Sequence, residues 1–232
     1  MSFASCTELF SQIQIQLNRD TYEKLKQYAI LLLLESEHQN VTAVRTEPEI
    51  WKRHFLDSAY LLQFLTEGGT VLDVGTGGGI PAIPLAIMNS KLQVTMLDSE
   101  LRKIEFCRQT INRLELSTKT ICGRAEELSR EPDYENKFDF VVSRAMANGS
   151  ILTELAVRFL KVGGSLIAMK GKQYDPSIER FSEAASALGC KLEREIEYTL
   201  DSETKNVIIL KKISETPSQY PRRYAKIKRN PL

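Results

Sequence analysis

Asp73-Val74-Gly75-Thr76-Gly77-Gly78-Gly79-Ile80-Pro81 is the stretch on which the reading of this chain turns. A short apolar run, Thr70-Val71-Leu72, precedes it and reads as a buried strand. Ile83 to Met88 follows, apolar and with helical spacing. A strand that enters a glycine loop and leaves it as a helix is where open α/β sheets bind nucleotides. Gly75, Gly77 and Gly79 alternate along the loop, so the backbone can approach a ligand that a Cβ would block. The spacing Asp-x-Gly-x-Gly-x-Gly differs from the Gly-x-Gly-x-x-Gly of dinucleotide enzymes. An acid two residues ahead of the first glycine suits a cationic or amine-bearing ligand better than a pyrophosphate. S-adenosylmethionine (SAM), with its amino group and sulfonium, fits that pattern, with Asp73 near the amino group.

From Thr70 onward, strand and helix signals alternate. Strands are expected at 70–73, 93–97, 119–122, 138–143, 165–169, 191–198 and 206–211, with helices at 80–88, 100–114, 125–129, 150–160 and 176–188. Such alternation implies right-handed crossovers and a mostly parallel sheet. The segment 199–205 has no room for a helix, so the last two strands should pair antiparallel at the sheet edge. The expectation is an α/β, Rossmann-like, class I SAM-dependent methyltransferase fold: a seven-stranded, mostly parallel sheet with an antiparallel edge strand. Before the loop the pattern is helical. Helices are expected at 5–17 and 21–36, with Asp20 able to cap the second, and a third opens at Pro48 and runs through Leu65. Three parts follow: an N-terminal helical appendage (1–66), a methyltransferase domain (67–213) and a basic tail (214–232).

The chain has 232 residues, 42% of them hydrophobic and 26% charged, enough for one sizeable core and an appendage. Its net charge of +1 names no partner, but the distribution does. Arg222, Arg223, Lys226, Lys228 and Arg229 crowd the tail, and residues 217–232 hold no acid. A basic tail on a mildly acidic body points to a polyanion. Cys6, Cys107, Cys122 and Cys190 are widely spaced, so neither a disulfide framework nor a metal site is indicated. The most apolar run, Ala29–Leu34, is far too short to span a bilayer, and no signal peptide is evident. A cytoplasmic protein with no membrane association is expected.

Further candidates lie at the strand ends. Asp98, at the end of the second strand, is placed to take ribose hydroxyls; it could equally cap the next helix. Gly123-Arg124-Ala125-Glu126 follows the third strand, beside the adenine end of the crevice. The fourth strand ends in Ser143-Arg144-Ala145, where amino-group methyltransferases of nucleic acids show Asn/Asp-Pro-Pro-Tyr. No cysteine has the context of a pyrimidine C5 nucleophile. A ring nitrogen such as guanine N7 needs neither device, because it is already nucleophilic and loses no proton. Catalysis then reduces to in-line placement and exclusion of water, with Arg144 as the catalytic candidate and no general base required. Lys170 and Lys172 follow the fifth strand and are expected at the same edge, suited to phosphates. From spacing alone, Asn40–Arg45 and Arg53–Ser58 form a helix corner in which Asn40 and Thr42 bond local backbone.

Taken together and in order, Asn40-Val-Thr-Ala-Val-Arg45, Arg53-His54 with Asp57-Ser58, the loop 73–81, Ser143-Arg144-Ala145, Tyr220-Pro-Arg-Arg223 and Lys228-Arg-Asn-Pro-Leu232 name a family. The chain resembles the bacterial small-subunit ribosomal RNA guanine-N7 methyltransferases, also called the glucose-inhibited division protein B family. The resemblance implies SAM-dependent methylation of guanine N7 in the 530 loop of 16S ribosomal RNA (guanine 527) by a monomeric cytosolic enzyme acting on the RNA or the small ribosomal subunit. It implies that Gly75 and Ile80 line the SAM site, that Ala125 and Glu126 contact adenosine, and that Arg144 contacts SAM or the guanine. It also moves Arg45, Arg53 and His54 to the RNA side, with Arg222 and Arg223 in the tail. One departure is Tyr224-Ala-Lys-Ile-Lys228, where the family usually carries Gly-x-Pro. A nicotinamide oxidoreductase would need Tyr-x-x-x-Lys after the fifth strand. Here that spacing falls only at Tyr22/Lys26 and Tyr224/Lys228, outside the sheet.

Overall fold

The computed structural model describes residues 1–232. Seven strands are β1 (Thr70–Val74), β2 (Gln93–Asp98), β3 (Lys119–Cys122), β4 (Phe138–Arg144), β5 (Leu160–Gly171), β6 (Cys190–Leu200) and β7 (Glu203–Lys212). They form one sheet in the order β3-β2-β1-β4-β5-β7-β6. The order reverses between β1 and β4, which pair in parallel with Val71 opposite Phe140. Ligands in open α/β sheets bind beyond the carboxyl ends of the strands at such a reversal. The fold is the expected one, with one refinement. The reversed strand is β7, antiparallel to both β5 and β6, so it lies one place in from the edge.

The chain divides into two compact units, Met1–Gly69 with Thr76–Cys122, and Thr70–Gly75 with Gly123–Leu232. The N-terminal helices, expected as an appendage, thus share a unit with half of the glycine loop. In that unit, α1 (Phe3–Ser11) precedes α2 (Arg19–Glu35), whose N-cap is Asn18, not Asp20: the Asn18 side chain accepts Thr21 N–H at 2.8 Å. Tyr22, Leu25, Tyr28, Ala29 and Leu32 recur at helical spacing and are buried. They meet α3 (Glu47–Ile50) and a π-turn over Trp51–Phe55, which α4 (Leu56–Tyr60) continues. Trp51 is fully buried against Phe10, Tyr22 and Phe55, with ring centroids 5.2–6.1 Å away. Each such ring contributes roughly 1.5–3 kcal/mol by leaving water. The helix expected from Pro48 to Leu65 runs without a break from Glu47 to Phe64, widened by the π-turn that holds Lys52, Arg53 and His54 and tightened in its last turn. The unit is completed by α5 (Ala82–Met88) after the loop and α6 (Leu101–Arg113) between β2 and β3.

The second unit adds α7 (Ala125–Leu128), α8 (Gly149–Ala156), α9 (Pro176–Glu179), α10 (Phe181–Ala187) and α11 (Tyr224–Arg229) to its strands. The helix expected at 176–188 is split where Arg180 adopts φ +53°. The β6–β7 connection is a two-residue hairpin, Asp201 and Ser202 having φ +48° and +65°, as a turn matched to strand twist requires.

The tail is fastened to this unit. Glu154, on α8, is completely buried. Arg222 Nε donates to its Oε1 at 2.8 Å, Nη2 donates to Oε2 at 2.6 Å, and the Arg222 backbone N–H donates to Oε1 at 2.8 Å. Arg158 donates to Tyr220 O and Arg130 to Pro221 O, both at 2.8 Å, and Ile227 of α11 is fully buried. Removing one partner of a buried ion pair leaves an uncompensated charge. Arg222→Ala is expected to lower unfolding free energy by about 3–5 kcal/mol in urea denaturation. A loss within ~0.5 kcal/mol, typical of a surface substitution, would show that the tail is only loosely attached.

Candidate active site

In the first unit, the loop from Thr76 is held by its backbone and by two side chains. Thr76 N–H donates to Leu97 O at 3.0 Å, and Gly79 N–H to Thr76 O at 2.9 Å. Asp98, 8% exposed, accepts Gly77 N–H on Oδ2 and Glu100 N–H on Oδ1, each at 3.0 Å. Both oxygens keep acceptor capacity for ribose hydroxyls, since a carboxylate offers about four lone-pair sites. Gly77 has φ +56°, and a Cβ built there would meet no atom within 4 Å. That open face is what a ligand passing close to the backbone requires. Gly78 faces the opposite situation: a Cβ would come within 3.1 Å of Leu32 and Val41. Tyr28 donates its hydroxyl to Gly78 O at 2.6 Å, and Ile80 is buried.

The second unit carries candidates of its own. Asp73, near the carboxyl end of β1, is completely buried. Ser143, at the end of β4, donates to Val74 O at 2.9 Å and so ties the two strand ends at the sheet's reversal. Arg144 follows, half-buried, and Ala145 turns the chain with φ +52°. Gly75 has φ +73°, and a Cβ on it would lie 2.7 Å from Met146 Cγ. The first glycine is therefore covered by a flexible side chain. After β3, Ala125 is buried and Glu126 half-buried in the first turn of α7. Both follow the carboxyl end of β3.

The residues expected to face RNA sort by exposure. Arg45 and Arg53 are exposed, as are Lys172 and Arg223. Arg45 Nη1 also donates to Thr42 O at 2.5 Å. His54 is only 4% exposed, its Nε2 2.6 Å from Thr42 Oγ1, so it braces the 40–45 segment from inside. Lys170 is engaged by Ala147 O at 2.7 Å and by Glu179 Oε2 at 2.8 Å. Arg222 is engaged by Glu154. Tyr28, Met146 and Glu179 were not singled out from the sequence. Tyr28 had a signal: a tyrosine within a buried helical stripe needs a hydrogen-bond partner. Met146 and Glu179 had none, because their contacts are with residues distant in sequence.

A mostly parallel sheet whose strand order reverses between β1 and β4, with a glycine loop open at Gly77 and acids near the ends of β1 and β2, is the arrangement expected of a SAM-dependent methyltransferase. Solved structures agree on the fold. An Aquifex aeolicus SAM-dependent methyltransferase superposes with TM-score 0.53 at 19% identity, covering 70% of this chain and 93% of that one. TrmN from Thermus thermophilus gives TM-score 0.53 at 20% identity over 68% of this chain and 48% of TrmN. The particular family comes from sequence. The model of the GidB family, described as rRNA small subunit methyltransferase G, matches residues 21–215, and the chain belongs to that family. Relatives carrying the name ribosomal RNA small subunit methyltransferase G include those of Clostridium novyi (40% identical, 95% of this chain and 93% of that protein). That of Lactobacillus acidophilus is 35% identical over 96% of this chain and 95% of its own length. S-adenosylmethionine is the methyl donor.

Two outcomes follow from the loop. Gly77→Val places a branched side chain in the open face, at a φ that L-residues rarely adopt, and is expected to abolish SAM binding in isothermal titration; retained affinity would place the ligand elsewhere. Tyr28→Phe strands a buried carbonyl, which costs about 1–3 kcal/mol. It is expected to weaken SAM affinity several-fold and to lower the melting temperature.

Proposed function

We propose that the protein transfers the methyl group of SAM to N7 of a guanine in the 530 loop of 16S ribosomal RNA, guanine 527. Family membership over residues 21–215 supports the RNA, and the end of β4 supports the atom. That end is the observation that carries the reading. Ser143-Arg144-Ala145 puts an arginine, rather than an Asn/Asp-Pro-Pro-Tyr clamp, at the end of the strand that pairs with β1. Bound SAM supplies an electrophilic methyl on a sulfonium. Asp73 balances the amino group, Asp98 takes the ribose hydroxyls, and Ala125 with Glu126 receives adenine. Gly75, Gly77, Gly79 and Ile80 shape the floor. Arg144 holds the guanine through O6, an acceptor that arginine commonly reads, and leaves the neighbouring N7 lone pair for the methyl. No proton leaves N7, so the side chains have only to orient the base and exclude water.

Arg45, Arg53, Lys172 and Arg223 are the exposed cations proposed to meet RNA phosphates. Binding should weaken steeply with salt, log K falling by about 0.7 per phosphate contact for each tenfold rise in salt on single strands. The enzyme is proposed to act as a cytoplasmic monomer; no helix is long and apolar enough to cross a membrane.

The test is transfer of labelled methyl from SAM to unmethylated small subunits or their RNA. Label is expected in 16S ribosomal RNA, with borohydride-aniline cleavage at guanine 527, as N7 methylation confers. Label in an exocyclic amine, a C5 position or a metabolite pool would overturn the reading. Arg144→Ala is expected to reduce turnover on the order of 10²-fold, the scale of losing one polar transition-state contact, with little change in melting temperature. Equal losses in both would make Arg144 structural.

A further inference from the structure

The β4–α8 connection, Ala145–Asn148, carries the residues that follow Arg144, and its path is unusual. Ala145 lies at φ +52°, a conformation that is strained for a non-glycine residue and persists only where neighbours impose it. Its neighbours supply that constraint. Lys170 stands at the end of β5, one residue beyond Met169, which is the register partner of Arg144. Its ammonium donates to Ala147 O at 2.7 Å and to Glu179 Oε2 at 2.8 Å. The same Glu179 oxygen accepts the N–H of Gly149. Between them, Asn148 donates to Ile178 O at 3.1 Å and caps α8 by accepting Ser150 N–H. Three consecutive residues, 147, 148 and 149, are thus each tied to β5 or to the α9 region. Gly149 admits no side chain there, since a Cβ would lie 2.5 Å from Phe181. Both members of the ion pair are largely removed from water, their side chains 10% and 17% exposed.

One end of the connection is fixed by the strand at Arg144 and the other by this clamp. Only Ala145 and Met146 remain between the two fixed points, and Met146 is laid against Gly75. We infer that Lys170 and Glu179 are positioning residues for methyl transfer: they hold the 145–148 connection so that Arg144 faces the reacting centre and Met146 covers the first glycine. This rests on the methyltransferase reading and assigns Lys170 inward to the reaction rather than outward to RNA phosphate. An ammonium suits the task because it can bridge a neutral carbonyl and a carboxylate at once, and each charge-assisted bond is stronger than a neutral one. Misplacement of about 1 Å at a reacting centre can lower a rate by roughly 10²-fold.

The experiment compares full-length wild type with Lys170→Met, Lys170→Arg and Glu179→Gln. Four quantities are measured: SAM affinity by titration, kcat and KM for RNA, the salt dependence of RNA binding, and hydrogen exchange of the 145–149 amides. Lys170→Met is expected to lower kcat by about 10- to 100-fold, the scale of a displaced reacting group. SAM affinity should weaken several-fold and exchange in 145–149 should accelerate, while KM for RNA and the salt slope stay at wild-type values. Glu179→Gln should show the same pattern more weakly, and Lys170→Arg, which can still bridge both acceptors, should recover part of kcat. The opposite pattern, kcat unchanged with the salt slope reduced by about 0.7, would make Lys170 a phosphate contact and overturn the inference. Unaltered SAM affinity and exchange in both Lys170→Met and Glu179→Gln would overturn it too. If Lys170→Met fails to fold, the Glu179→Gln and Lys170→Arg readings decide. A wild-type protein that transfers no methyl to RNA would sink the proposed substrate, while the titration and exchange data still decide the clamp.

Discussion

The backbone at Gly75, Gly77 and Gly79 runs at φ +73°, +56° and +90°, and a path of that kind cannot hold itself. Glycine gives it freedom from steric clash but contributes no side chain to fix it, and it loses more conformational freedom on folding than any other residue. Each contact near the loop can be understood as meeting that need. The Asp98 carboxylate takes Gly77 N–H, the Tyr28 hydroxyl takes Gly78 O, and Ser143 takes the carbonyl of Val74 just before the loop. Hydrogen bonds from charged or buried partners at these points offset the entropy of ordering a nearly bare backbone.

The same requirement extends to the end of β4, the strand paired with β1. The Arg144–Asn148 connection carries a residue in the left-handed region and lies on Gly75 through Met146. Its stiffness is borrowed from Lys170 and Glu179. Buried charge recurs in this unit at Glu154 with Arg222 and at Lys212, which is 1% exposed and donates to Asn136 Oδ1 and Leu160 O. Burial lowers the Lys212 pKa. Such groups add little net stability over a well-packed apolar alternative, but they penalise any other arrangement, because each charge left alone is expensive.

The sheet was legible because strand and helix periods alternate plainly from Thr70 onward, and the loop because its glycines fall between a strand and a helix. Boundaries were less so. β5 begins at Leu160 rather than Ser165, since a register shift between Phe138 and Phe140 lets Gly163 and Gly164 stay in the strand instead of ending it. The single helix expected at 176–188 breaks at Arg180, a residue with no breaker signature. Among site residues, positions along strand ends could be read, but partners could not. Lys170 and Arg222 looked like exposed cations because composition records charge and not what lies across from it. A hint existed for Arg222: Glu154 sits in the apolar run Ile151-Leu152-Thr153-Glu154-Leu155-Ala156, where an acid needs a cation from elsewhere. No comparable hint pairs Glu179 with Lys170.

The hydroxyl of Tyr28 reaches the glycine loop from a helix that precedes the sheet by some forty residues of chain. That helix therefore supports the loop as well as the core. A chimera that kept strands β1 to β7 and took its leading helices from another methyltransferase would bring new surface chemistry and lose the donor to Gly78 at one stroke. The helix thus has two faces with different freedoms: substitutions on the outward one leave the loop untouched, while a change at Tyr28 on the inward one is felt at Gly78.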